Sequence, residues 1–280
     1  MPGALAELLG HPRLEVIPLD GIQQAVVEHV PRELTITITS SPTRGIESTL
    51  ELAERLACEG YHVVPHLAAR LVTGRPQLAD LLARFEAVGL REVFVVAGDT
   101  PHAAGPFEGA VGLLAAMAEL GHGLEEVGVT GYPESHAFIS DETTIQAMFD
   151  KVPYATYIVS QICFDAAVIG GWIRRVRDRG VTLPIYVGLP GPIEPVRLLR
   201  LSAKIGLGDS ARFLRRHGSW IGRLTLPHAY RPESVLERLA PHLDRPDNAV
   251  AGLHLFTFNE IARLIAWRDE TIARLTLTRH

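Results

Sequence analysis

Eight short runs rich in β-branched and other apolar residues recur along the chain: RLEVIPL, LTITIT, HVVPHL, EVFVVAG, EVGVTG, ATYIVSQ, LPIYVGLP and AVAGLHLFTF. Longer stretches with helical spacing lie between them. In Gln77 to Val88, for example, Leu78, Leu81, Leu82 and Phe85 mark one buried helical face, and Glu47 to Glu59 reads the same way. Several runs are apolar on both faces, and no two-residue Asn-Gly or Asp-Gly turn joins one run directly to the next, so the strands are expected to be parallel and joined by crossover helices. Eight such units predict a closed (β/α)8 TIM barrel, an α/β fold, in one domain over residues 1–280. An open doubly wound sheet is the competitor, and its mark is a glycine-rich turn between a strand and a helix. GLGDSA, Gly206 to Ala211, has the glycines but follows the helix-like stretch Val196 to Ile205, which is the wrong context for a phosphate cradle.

Composition narrows the function classes. With 47% hydrophobic and 21% charged residues the chain can build a large core, and its net charge of −5 argues against nucleic acid as a partner. Cys58 and Cys163 sit in apolar contexts and read as buried free thiols of a reducing compartment. The segment MPGALAELLGHP lacks the basic start of a signal peptide, and no run of about 18 apolar residues occurs. A cytoplasmic protein without membrane contact is expected, with a homo-oligomer left open. No P-loop, zinc-ligand spacing, nucleophile elbow or low-complexity linker is present.

A barrel of this kind carries its chemistry where the strands end. The first run contains Glu15, the second leads to Thr39, the third ends at His66 and the fourth at Gly98 and Asp99. The fifth leads into GYPESH, with Tyr132, Glu134 and His136. The sixth ends at Gln161, and the eighth carries His254, Thr257 and Asn259. Each has a plain structural alternative: Glu15 pointing to solvent, His66 as a core histidine, Asp99 as a helix cap, Gln161 satisfying backbone groups, Tyr132 as packing. Taken together they place many polar groups on one rim.

In order, the motifs LEVIP, TITSSPTRG, PHLAAR, AGD, GYPESH, DKVPYATYIVSQICFD, GLPGPI and HLFTFN resemble the methylenetetrahydrofolate reductase family over nearly the whole chain, Leu14 to Asn259. The resemblance implies reduction of 5,10-methylenetetrahydrofolate to 5-methyltetrahydrofolate, with Glu15 as the general acid that opens the substrate's five-membered ring. Flanked by Leu14 and Val16, Glu15 is expected to have a pKa raised toward neutrality by desolvation. Asp99, Gln161 and Leu201 match substrate-binding positions. Thr39, His66, Ala97, Gly98, Tyr132, His136 and Lys151 match positions that contact the flavin, and Glu134 matches one that shapes the loop.

The sequence departs from the flavin pattern at three places: Ala97 replaces an arginine, and Thr144 and Ala147 replace an aspartate and an asparagine. PHLAARLV with VVAGD resembles more closely the actinobacterial branch that works without flavin, which implies NADH as the direct hydride donor. A conventional FAD enzyme, a catalytically silent folate-binding relative and an unrelated barrel enzyme for a phosphorylated substrate are the alternatives. The last needs a phosphate loop near the seventh and eighth strands, where the prolines of GLPGPIEP remove amide donors.

Overall fold

A computed structural model describes residues 2–41, 43–133, 146, 148–192 and 232–277. Its eight strands are β1 (Arg13–Val16), β2 (Thr35–Ile38), β3 (Val63–Ala68), β4 (Glu92–Val96), β5 (Glu126–Gly131), β6 (Tyr157–Ser160), β7 (Ile185–Pro190) and β8 (Val250–Phe256). They form a closed barrel in chain order, every neighbouring pair parallel, with β1 paired to both β2 and β8. Seven fall within the runs expected from the sequence, and β3 extends one residue past its run, to Ala68. The described helices are α1 (Pro2–Gly10), α2 (Ile22–His29), α3 (Gly45–Cys58), α4 (Arg75–Val88), α5 (Ala110–Leu120), α6 (Ala166–Asp178), α7 (Pro232–Leu243) and α8 (Ile261–Leu277). The chain folds as a TIM barrel.

The helices form for local reasons. α4 buries Leu78, Leu81, Leu82 and Phe85, the stripe its spacing predicts, and stops at Gly89, whose φ of 78° lies in the left-handed region. α6 starts at Asp165, whose carboxylate accepts the amide protons of Ala167 at 2.9 Å and Val168 at 3.4 Å. α1 precedes the barrel and is tied to α8 by Arg268, which donates to the carbonyls of Leu9 and Gly10 at 2.8 and 2.7 Å.

Period-two alternation then divides the residues of each strand between two environments. On β1, Leu14 and Val16 join the core beneath the helices, while Arg13 and Glu15 face the inside of the barrel. The interior is layered. At the floor Arg13 pairs with Glu92, and its guanidinium lies 4.4 and 3.9 Å from the ring centres of Tyr157 and Tyr186. A waist of Val64, Phe94, Tyr157 and Val159 follows, and above it come Glu15, His66 and His254. Gly128 makes room for the waist, since a Cβ there would collide with the Tyr157 ring.

One expectation about the cysteines fails. Cys163 is buried, but Cys58 is exposed, because the buried stripe of α3 runs through Leu52, Ala53 and Leu56 and leaves position 58 outside it. Among the described residues no helix is long and apolar enough to cross a membrane.

Candidate active site

The strand ends open onto a cleft of about 190 Å³, and that is where most of the residues singled out from the sequence converge. Glu15, Thr39, His66, Ala97, Gly98, Asp99, Tyr132 and Gln161 all line it. Lys151 does not. Its ammonium is buried and donates to the Thr130 carbonyl at 2.8 Å, and burial pushes its pKa down to about 8. His136, Glu134, Thr144, Ala147, Leu201 and the GLGDSA segment lie outside the described residues.

Glu15 is the best-buried carboxylate of the cleft. Its Oε2 lies 3.0 Å from Nε2 of His254 and 3.9 Å from Nε2 of His66. The solvent-facing reading therefore fails. So does the expectation of a raised pKa. Burial pushes the carboxyl up, but the His254 hydrogen bond and the positive charge the two histidines can carry hold it below its ordinary value. His66 is itself pushed down to about 4, mainly by burial, so at pH 7 it is a neutral neighbour. Its ring packs edge-on to Phe94, with centres 4.7 Å apart.

Asp99 reaches the cleft through a turn at Gly98, whose φ is 91°. A Cβ there would come within 3.2 Å of the Ala68 Cβ, so the position suits glycine on two counts. Asp99 does not cap the following helix, since the N-cap of α5 is Gly109. Its charge contributes, after burial, to raising the pKa of Tyr132 across the cleft. The Gln161 side-chain oxygen accepts the amide proton of Ile162 at 2.9 Å, so the backbone role expected as the plain alternative is real even though the residue also lines the cleft.

Thr257 and Asn259 brace the rim. Thr257 donates to the Glu15 carbonyl at 2.6 Å, and Asn259 exchanges hydrogen bonds with the backbone of Ile17 at 2.8 and 2.9 Å. These bonds fix the end of β1 and so fix where Glu15 points.

The fold and this set of groups can be compared with known proteins. A model of the family described as methylenetetrahydrofolate reductase matches residues 20–207, more than half of the chain. The chain belongs to the methylenetetrahydrofolate reductase family. That family reduces methylenetetrahydrofolate, so the protein is assigned as an oxidoreductase with a small folate as partner. The match takes in Thr39, His66, Asp99, Tyr132, Lys151, Gln161 and Leu201. It begins after Glu15 and ends before His254. Barrel closure, which pairs Glu15 with Phe256 and Arg13 with His254 in register, is what brings Glu15 and His254 into the cleft lined by the matched residues.

Sequence reasoning placed His254 on the rim without connecting it to Glu15. The usable signal was the alternation HLF on the last strand, which sends His254 inward beside the first strand.

Proposed function

We propose that the protein reduces 5,10-methylenetetrahydrofolate to 5-methyltetrahydrofolate with NADH as direct hydride donor and Glu15 as general acid. The observation that carries this reading is the partly buried Glu15 carboxyl opening on a cleft that Asp99 and Gln161 also line. In the substrate one carbon bridges two nitrogens. Glu15 protonates one nitrogen, its bond to the bridging carbon breaks with the electron pair staying on that nitrogen, and the lone pair of the other nitrogen forms an iminium. Hydride from the dihydronicotinamide adds to the iminium carbon and gives the methyl group. Asp99 and Gln161 offer an acceptor and an amide to the pterin edge. A folate seated over Glu15 removes its water and so favours the protonated carboxyl.

The described groups fit a flavin poorly. Ala97 presents only a methyl, Lys151 is turned to Thr130, and no lysine or arginine stands among the described residues lining the cleft. The conventional FAD enzyme is the second reading, favoured by Thr39, His66, Gly98 and Tyr132 lining the same cleft. Residues 1–280 are taken as one reductase domain.

Steady-state kinetics test the reading. Direct transfer requires both substrates bound together and gives intersecting double-reciprocal lines. Parallel lines, flavin absorbance in the purified protein, or activity that appears only after FAD is added would refute direct transfer and leave the reductase standing. Absence of folate-dependent NADH oxidation under all of these conditions would favour the silent relative.

A further inference from the structure

Among the described residues the Glu15 side chain has one direct hydrogen-bonding partner, His254, and the surroundings of that imidazole fix what it can do. His254 is 1% exposed. Its ring sits 5.0 Å from the Phe256 ring and 6.5 Å from the Phe94 ring, centre to centre. Nε2 faces the Glu15 carboxylate, whereas Nδ1 is buried with no hydrogen-bond partner among the described residues.

A neutral imidazole carries one N–H. With the proton on Nε2 it donates to Glu15, and only a bare lone pair is left in the apolar spot. With the proton on Nδ1 a buried donor has no acceptor, and the Nε2 lone pair confronts the lone pairs of the carboxylate. The first arrangement satisfies the strong donor and the second wastes it. An N–H from Nε2 occupies Oε2, so the proton that Glu15 delivers must sit on Oε1.

We propose that His254 is the positioning residue of the general acid: by donating from Nε2 to Oε2 of Glu15 it assigns the transferable proton to Oε1 and stabilises the carboxylate left after the transfer. The role in turnover rests on the reductase reading above, but the hydrogen bond and tautomer do not. The groups facing Glu15 are few. His66 comes from β3 and is neutral at pH 7, Thr37 is its register partner on β2, and Asp99 and Tyr132 line the cleft beyond. None of these is a permanent cation, so the alkaline limb of the activity profile, where the acid form is lost, belongs to Glu15.

Two variants separate positioning from packing. His254→Leu fills much of the space without a donor. His254→Gln keeps an N–H but cannot act as an imidazole. In His254→Leu the alkaline limb of kcat/KM is expected to move up by about one to two pH units, the worth of a hydrogen bond to a charged group. In the same variant kcat is expected to fall about tenfold or more, with KM for the folate changing less, as when a general acid is poorly placed. His254→Gln is expected to keep the limb near its wild-type position and to recover part of kcat. Equal losses in both variants with an unmoved limb would reduce His254 to packing and overturn the proposal.

A second measurement does not depend on turnover. Histidine-ring 15N correlation spectra of the wild-type protein at pH 8, with His254 assigned from its absence in His254→Gln, are expected to show the Nε2–H tautomer. An Nδ1–H tautomer overturns the proposal whatever the kinetics. The Nε2–H tautomer in a protein that reduces no folate would support the Glu15–His254 pair while removing the reductase reading.

Discussion

His66 makes the fold sensitive to acid, and the size of the effect can be worked out. Its pKa is lowered from 6.5 to about 4 because the ring is buried and would have to carry a charge without water. The unfolded chain takes up this proton near pH 6.5 and the folded one only near pH 4, so between those values the unfolded state binds more protons and stability rises with pH. The contribution is fully present above pH 6.5 and is lost as pH falls toward 4. A 2.5-unit difference integrates to about 2 kcal/mol lost by pH 5 and about 3 kcal/mol by pH 4.

Glu15 acts in the same direction but lower down. Its depressed pKa gives stability that is lost as pH falls through and below the ordinary carboxylate range, so the window from pH 5 to 7 reports on the histidine. The perturbation is His66→Leu, similar in volume and without a proton to gain. The assay is urea unfolding followed by far-UV circular dichroism at pH 7.5, 6.5, 5.5 and 5.0, comparing midpoints at constant slope. Wild type is expected to lose about 2 kcal/mol more than the variant across that range. Two curves that stay parallel in pH would mean that His66 is protonated in the folded protein or hydrated, and the argument from burial would fail.

Three further outcomes are expected. Glu15→Gln should keep folate affinity and lose about 100- to 10,000-fold in turnover, measured by NADH oxidation, because the amide keeps the shape and has no proton to deliver. Asp99→Ala should weaken folate binding by about 1–3 kcal/mol in calorimetric titration, and equal affinity would remove Asp99 from the pterin site. Glu92→Gln, at the barrel floor, should cost about 3–5 kcal/mol in urea unfolding by leaving the buried Arg13 without its close anion, with folate affinity unchanged because the cleft lies at the other end.

How much of this could be read from the sequence depended on range. The strands were legible because each carries its own apolar pattern, and the buried face of α4 because four residues state it. Environments that depend on closure were not. Leu14 and Val16 adjoin Glu15 in sequence, but alternation turns both toward the helices, so they say nothing about the medium around its carboxyl. The residue that decides that medium is His254, 239 positions away. Asp99 looked like a cap because a helical pattern follows it, yet the helix begins only after Gly109. Lys151 matched a cofactor-contacting position by motif, and nothing local announces that its ammonium is spent on the Thr130 carbonyl.

Glu15, partly buried, and Glu92, fully buried, face the same barrel interior, and the difference between them is the one that separates a structural carboxylate from the general acid proposed above. For Glu92 burial pushes the pKa up, but His62, with Nε2 at 3.2 Å, and Arg13 hold it low. The guanidinium of Arg13 keeps its proton at any accessible pH, so Glu92 has no neutral state worth reaching and serves to bind β4 to β1. Glu15 stands two residues beyond Arg13 on the same strand, yet its near neighbours are imidazoles, which can be neutral. Its anion is favoured by a hydrogen bond and not by a permanent cation. Removing water above it is therefore enough to bring the acid form within reach, which is the property a proton donor to a bound nitrogen needs.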